Sequence, residues 1–366
     1  MKHPQYGPTN PEVTYVEHAY EEHLADLGEI DMNYVVSGSP DLPALLLIPG
    51  QTESWWGYED SIPHLDKHFQ VYAVDLRGQG RSTGTPGRYT LDNFGNDLVR
   101  FIALVIQRPT IVSGLSSGGV ISAWLSAYAM PGQIRAACYE DPPLFSSQIN
   151  PAVGQSIRQS IGPVFELLSR FLGDQWTVGD YEGMLASRER LPSHLQPLMA
   201  LMLASGEGPP QNLKEYDPEW GRTFYTGTVA ASCDHEQMLK TVKCPILFTH
   251  HFRRVDENGN LLGAISDVQA KYACELIAAS GQPCEYRSFP AIGHSMHRQD
   301  PSLYASTLLE WAGTLDSGAR RHRLLECPRG VQRSAQLAPP TGLEPVHPAP
   351  EAGALSTELR GRPTSS

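Results

Sequence analysis

Gly114-Leu115-Ser116-Ser117-Gly118 fits the pattern Gly-x-Ser-x-Gly. The chemistry such a pattern serves is attack by a serine hydroxyl. It requires a sharp strand-to-helix turn that exposes the middle side chain on strained backbone. The glycines let neighbouring backbone approach with no Cβ in the way. The helix that follows turns its N-terminal N–H groups and dipole towards a developing oxyanion. The flanks supply this context: 110–113 is strand-like, and 120–129 carries apolar residues at helical spacing. Ser116 is therefore the candidate nucleophile. Ser117, which is not the middle residue of the motif, is the lesser alternative.

A serine nucleophile needs a base and an acid, which follow this elbow in the order Ser…Asp/Glu…His. Gly293-His294 lies just after an apolar-bearing strand at 285–289 and before a helix starting at 301. A loop there returns the imidazole to the strand ends. His297 is the nearest competitor, and the adjacent His250 and His251 cannot both face one site. The acid usually follows the strand at 245–249, but that stretch reads His250-His251-Phe252-Arg253-Arg254, with an arginine in the aspartate slot. Asp256 and Glu257 run into the turn Asn258-Gly259 and read as a solvated loop. The other place is the end of the preceding strand, Cys138-Tyr139-Glu140-Asp141-Pro142-Pro143. Successive strand side chains face opposite ways, so one of the two carboxylates points to His294. Asp141 is preferred, with Glu140 and Asp256 as alternatives.

The elements that must hold these groups alternate along the chain. Strands are expected at 29–36, 44–48, 71–75, 110–113, 134–139, 245–249 and 285–289. The run at 44–48 is unbroken apolar, as in a strand buried on both faces. This alternation implies an α/β fold with a mostly parallel central sheet flanked by helices. The stretch 142–243 has helical patterns and no convincing strand, which implies a helical cap inserted between two late strands. The core is then 27–141 and 244–315. Residues 1–26, polar with Pro4, Pro8 and Pro11, read as an arm that could wrap the body or a neighbouring subunit, allowing a homo-oligomer. Residues 316–366 hold seven prolines, seven arginines and no aromatic residue, and read as a disordered tail.

Composition excludes other classes. The 366 residues carry 40 acidic and 28 basic side chains, a net charge of −12, which opposes nucleic-acid binding and docking on anionic lipid. No run approaches the roughly 18–20 apolar residues of a membrane span. No apolar signal segment follows Met1, so a cytoplasmic location is expected. The six scattered cysteines read as reduced thiols, and no metal-ligand spacing appears, so neither metal nor other cofactor is expected.

The oxyanion donors follow from Leu45-Leu46-Leu47-Ile48-Pro49-Gly50-Gln51. In α/β-hydrolases the residue after this glycine slot and the residue after the nucleophile give the two N–H groups, here Gln51 and Ser117. Asp75-Leu76-Arg77-Gly78-Gln79-Gly80-Arg81-Ser82 is a second signature of this fold, read as a stabilising loop with a buried ion pair. Over residues 27–315 the sequence resembles the bacterial zearalenone lactonases of the α/β-hydrolase superfamily. The segments carrying the likeness include Leu47-Ile48-Pro49-Gly50-Gln51-Thr52-Glu53-Ser54-Trp55-Trp56, residues 89–106 and 123–135, Gln211-Asn212-Leu213-Lys214-Glu215-Tyr216-Asp217-Pro218-Glu219-Trp220, and Thr249-His250-His251.

The resemblance implies a serine hydrolase that opens the macrocyclic ester of a resorcylic acid lactone, with Ser116 as nucleophile and His294 as base. The fungal lactonases of this activity carry a glutamate in the slot of Asp141, which favours Asp141 over Glu140. Gly50 and Leu115 depart from the family, standing where a bulkier polar residue and an asparagine are expected. The partner implied is a small-molecule lactone. Its apolar ring and phenol need an apolar cavity, for which Trp176 and Trp220 are the preferred walls and Trp55 a residue of the mouth. Phe165, Leu168, Met184, Leu198 and Met202 are further apolar residues of the cap. The rivals are a general carboxylesterase or C–C bond hydrolase of the same fold, and a ligand receptor without turnover. An epoxide hydrolase or haloalkane dehalogenase would require Asp in place of Ser116.

Overall fold

A computed structural model describes residues 17–145, 157–193, 195–196, 209–257, 259 and 261–316. They all fall in one unit, residues 1–325; residues 326–366, a second unit, lie outside them, as does the rest of the expected tail beyond Asp316.

Ten strands are described: β1 (His23–Asp26), β2 (Asp31–Ser37), β3 (Ala44–Ile48), β4 (Gln70–Val74), β5 (Thr110–Leu115), β6 (Ile134–Glu140), β7 (Ile246–His250), β8 (Arg253–Val255), β9 (Leu261–Gly263) and β10 (Cys284–Ser288). Eight form one sheet in the order β1-β2-β4-β3-β5-β6-β7-β10. Pairing from β4 through β10 is parallel, and β2 is antiparallel to both its neighbours. Every residue of β3, β5 and β7 is buried, as strands covered on both faces must be. The register sets Ile48 beside Gly114, Leu115 beside Glu140, Glu140 beside Thr249, and Ser288 beside His250. The loops after β3, β5, β6, β7 and β10 therefore leave the sheet at one edge.

One boundary and one strand pair differ from the sequence expectation. The arm expected to reach residue 26 ends earlier, because His23–Asp26 pairs with β2 as an edge strand. Only Ala25 of its four residues is buried, so no alternation marks it in the sequence. The small antiparallel pair β8–β9 was also unmarked.

Between β6 and β7 the described residues contain helices, among them Ile157–Phe171, Tyr181–Ser187, Gln211–Lys214, Pro218–Thr226 and His235–Lys240. They are fastened to the loop 75–82. Trp176 Nε1 donates to Gly80 O at 2.8 Å, Gln175 Nε2 to Gly80 O and Ser82 O at 2.8 and 3.0 Å, and Asp217 N to Gly78 O at 2.8 Å. The loop is held from below by the expected ion pair, Arg77 donating to both oxygens of buried Asp97 at 2.6 and 2.7 Å.

A carboxyl pair also joins helix Gln211–Lys214 to the core. Glu215 accepts from Ser54 Oγ, from Trp56 Nε1 at 2.8 Å and from Gln211 Nε2 at 3.2 Å. Asp75 accepts from Trp55 N and Asn33 Nδ2 at 2.8 Å and from Arg81 N at 2.9 Å. Burial pushes Asp75 up to about 7 and, with the charge of Asp75 adding to it, Glu215 up to about 8. Both values lie above those of the unfolded chain, so the folded state holds more protons and loses stability as pH rises from about 4 towards 8. Glu215→Gln removes one of these protons from the balance. Its melting temperature should gain on the parent steadily between pH 5 and pH 8; parallel curves would show that Glu215 is ionised throughout.

Candidate active site

β5 ends at Leu115 and helix Ser117–Tyr128 begins two residues later. Ser116 between them adopts φ 55°, ψ −120°. This left-handed geometry costs a non-glycine residue about 1–3 kcal/mol. The surroundings enforce it. Ser116 N donates to Glu140 O at 2.8 Å. A Cβ on Gly114 would lie 2.2 Å from Gly118 O, and one on Gly118 would lie 2.3 Å from Ile48 O. Both motif glycines are thus fixed by contact between β5, β3 and the helix start.

Asp141 follows β6, is fully buried, and has φ 43°. Its Oδ2 lies 2.7 Å from His294 Nδ1, and its Oδ1 accepts the backbone N–H of His251 at 3.0 Å. The ring of His251 secures the loop that carries His294. Its Nδ1 lies 3.1 Å from Gly293 O and 2.9 Å from His294 O. Carbonyls only accept, so Nδ1 carries the proton, and Nε2 accepts from Thr249 Oγ1 at 3.0 Å. Burial works against charge on Asp141, but the hydrogen bond and charge of His294, with His251 behind them, hold its carboxyl below the ordinary range. Partial desolvation works against the His294 cation, and the bond and charge of Asp141, helped by Glu140 and Glu53, hold it above the ordinary histidine value. The His294 side chain is 45% exposed, so its other nitrogen is open to a reactant. Among the described residues no hydrogen bond joins it to Ser116 Oγ; such contacts tighten in the substrate complex.

The alternative acids are placed elsewhere. Glu140, on the other face of the chain from Asp141, lies 2.9 Å from His297 Nδ1 and accepts from Met296 N at 2.8 Å. His297 is bound at its far side by Glu53, 3.2 Å away, and its ring stacks on Tyr58 at 3.9 Å. Burial opposes the His297 cation, yet the two glutamates push it up to about 9. Glu140 and His297 thus pair with each other, in a buried Glu–His–Glu chain apart from His294. Asp256 sits in the turn between β8 and β9.

The two residues expected to give the oxyanion donors, Gln51 and Ser117, flank the elbow and line one cavity. A Cβ on Gly50 would stand 3.2 Å from Ser116 Cβ and 3.4 Å from Leu115 Cδ2, so the bulkier residue expected there would press on the nucleophile. The N–H groups of Gln51 and Ser117 enter no hydrogen bond among the described residues. An oxygen held by both would lie at the positive end of a 12-residue helix.

An apolar cavity adjoins this point, lined by Gln51, Ser117, Phe94, Trp220, Phe224 and His235 among others. It is narrow, with a volume of about 20 Å³. Among the described residues, its walls carry polar atoms without partners: both side-chain ends of Gln51, Ser117 Oγ, Trp220 Nε1 and His235 Nε2. His235 Nδ1 accepts the Phe145 N–H at 2.8 Å, which places the ring proton on Nε2. Burial pushes His235 down to about 4, so it is a neutral donor.

Of the three expected pocket tryptophans, only Trp220 lines this cavity. Trp55 is wholly buried in the core, its N–H groups bound to Asp75 and Glu22. Trp176 is buried against the loop 75–82 and acts in fastening the cap. Phe165 packs on Phe224 at 4.5 Å, while Leu168 and Met184 are fully buried. Leu198 and Met202 lie outside the described residues. Sequence reasoning missed His251, His235 and Glu53. For His251 a signal existed: a histidine pair closing a strand must send one ring to each face.

The fold is that of the α/β-hydrolases. A family model described as alpha/beta hydrolase fold matches residues 43–164. The chain is 30% identical over 169 residues to bifunctional epoxide hydrolase 2 of Sus scrofa, covering 45% of this chain and 29% of that protein. It is 28% identical over 102 residues to 3-oxoadipate enol-lactonase 2 of Acinetobacter baylyi, covering 27% of this chain and 38% of that one. The chain spans less than half the length of these curated relatives. Among solved structures, the enol-lactonase from Burkholderia xenovorans superposes with a TM-score of 0.57 at 15% identity, over 80% of this chain and all of that one. E-2-(acetamidomethylene)succinate hydrolase gives 0.57 at 18% identity, over 81% of this chain and all of that one. Among the described residues no helix is long and apolar enough to cross a membrane, and no three His, Cys, Asp or Glu side chains are placed to hold a metal ion.

Proposed function

We propose that this chain is a serine hydrolase that opens the macrocyclic ester of zearalenone or a related resorcylic acid lactone. The observation that carries the reading is the strained Ser116 between two unengaged amide donors, on the same sheet edge as the Asp141–His294 pair. His294 takes the Ser116 proton, and the alkoxide attacks the lactone carbonyl. The N–H groups of Gln51 and Ser117 hold the tetrahedral oxyanion. His294 then protonates the leaving alkoxide, which opens the ring and leaves an acyl-enzyme. Water deprotonated by His294 releases the hydroxy acid. Asp141 keeps the proton on Nδ1 and stabilises the imidazolium.

Chemistry separates this reading from the epoxide hydrolases among the relatives. A serine that opened an epoxide would form an ether, which water does not cleave under these conditions; a serine acyl ester is hydrolysed readily. The cavity favours a neutral, largely apolar substrate bearing oxygen acceptors, because Trp220 Nε1–H and His235 Nε2–H need them. A cytoplasmic location accords with the five described cysteines, all of them unbridged and buried.

The test is turnover of zearalenone by the purified chain, followed as ring-opened product. Cleavage of simple esters with no action on zearalenone would keep the hydrolase and reject the lactone. Within the reading, Trp220→Phe keeps a smaller aromatic ring and deletes the donor. It should raise KM about tenfold, the worth of one hydrogen bond, and leave kcat within about twofold. An unchanged KM would remove Trp220 from the substrate contacts.

A further inference from the structure

Gln79 belongs to the loop 75–82, which sequence reasoning assigned to stability alone. Its side chain is 1% exposed, and its Nε2 donates to Gly50 O at 2.9 Å. Gly50 O can only accept, so the amide orientation is fixed by that bond. The same orientation leaves Gln79 Oε1 buried with no partner among the described residues. A buried amide oxygen left empty is unfavourable and offsets much of what satisfying Gly50 O gains; a leucine or methionine of similar size would avoid the first cost and incur the second. The bond to Gly50 thus calls for a reason other than stability.

Peptide geometry gives one. In a trans peptide the C=O of residue 50 and the N–H of residue 51 lie in one plane and point opposite ways. Holding Gly50 O therefore aims Gln51 N–H. Gly50 has no side chain to restrain its backbone, and Thr52 after it has φ 58°, so this segment has little local reason to keep one orientation. The other end of Gly50 is held more loosely, its N–H lying 3.4 Å from Glu53 Oε2.

We propose that Gln79 is a positioning residue for the oxyanion site: it clamps the Gly50–Gln51 peptide so that the Gln51 N–H faces the tetrahedral oxygen. This rests on the serine-hydrolase reading. The clamp acts more on the transition state than on the ground state, since an oxyanion draws on the donor more strongly than a carbonyl does.

The test compares Gln79→Met, Gln79→Asn and Gln79→Glu with the parent on p-nitrophenyl acetate, with binding of phenylboronic acid as a tetrahedral mimic. Met keeps the volume without a donor, and Asn withdraws the amide by one methylene. Both should lower kcat about 30- to 100-fold with KM within twofold, and boronate affinity should fall in step. Glu, protonated by burial, regains an O–H donor and should recover kcat to within about fivefold of the parent. The clamp is overturned if a folded Met or Asn variant keeps kcat within threefold, or if Glu is no better than Met. Asn keeps the test open should Met fail to fold. Absence of Ser116-dependent esterase activity in the parent sinks the serine-hydrolase reading itself, and is told apart from failure of the clamp in that way.

Discussion

Ser116→Ala should lower kcat by about 10⁶-fold on both zearalenone and p-nitrophenyl esters, and abolish any burst of p-nitrophenol. The size follows from what is lost. The elbow, the helix start and the two amides at Gln51 and Ser117 remain, and such a site still gives about 10³–10⁴ over water. What disappears is the covalent route. The adjacent hydroxyl supplies the control. Ser117 Oγ lines the cavity and has no partner among the described residues, but only the Ser117 backbone N–H enters the proposed mechanism. Ser117→Ala should therefore keep kcat within about tenfold. The reverse ranking of the two variants would move the nucleophile to Ser117. A Ser116→Ala enzyme retaining more than about 1% of kcat would discard the acyl-enzyme altogether.

The parts legible in the sequence are those governed by local pattern. The apolar run Ala44–Ile48 matches its strand residue for residue, because burial on both faces leaves no polar position to blur the ends. The elbow was legible since its glycines answer to contacts within a few residues and to one neighbouring strand. Long-range partners were not legible. Trp55 stands four residues after Gln51 in sequence, yet the turn Trp55–Tyr58 directs it into the core, where Asp75 and Glu22 receive its N–H groups. Trp176 bonds Gly80 across 96 positions, and Gln79 bonds Gly50 across 29. Strand alternation placed one of Glu140 and Asp141 towards His294, but the choice depends on how the 293–297 loop returns. His251 fixes that loop with bonds no periodicity encodes.

That choice gives the second large effect. Asp141→Asn should lower kcat about 10⁴-fold at neutral pH, since an amide can donate to Nδ1 and leave His294 in the tautomer unable to accept the Ser116 proton. Stability should change little by comparison. Glu140→Gln should do the opposite. It strips one anion from the buried His297, whose charge is then held by Glu53 alone, and breaking such a pair costs about 3–5 kcal/mol. Its melting temperature should drop sharply while kcat stays within about tenfold. pH separates the two again. The base must be neutral to act, so the rate falls as pH drops through the pKa of His294, which Asp141 helps to raise above the ordinary histidine value. In Asp141→Asn the bond and charge that raise it are gone, and the residual activity should persist to lower pH. In Glu140→Gln only a distant charge is lost, and the acid limb should stay near that of the parent. A large kcat loss in Glu140→Gln, with Asp141→Asn active, would exchange the roles of two neighbours that the loop geometry now separates.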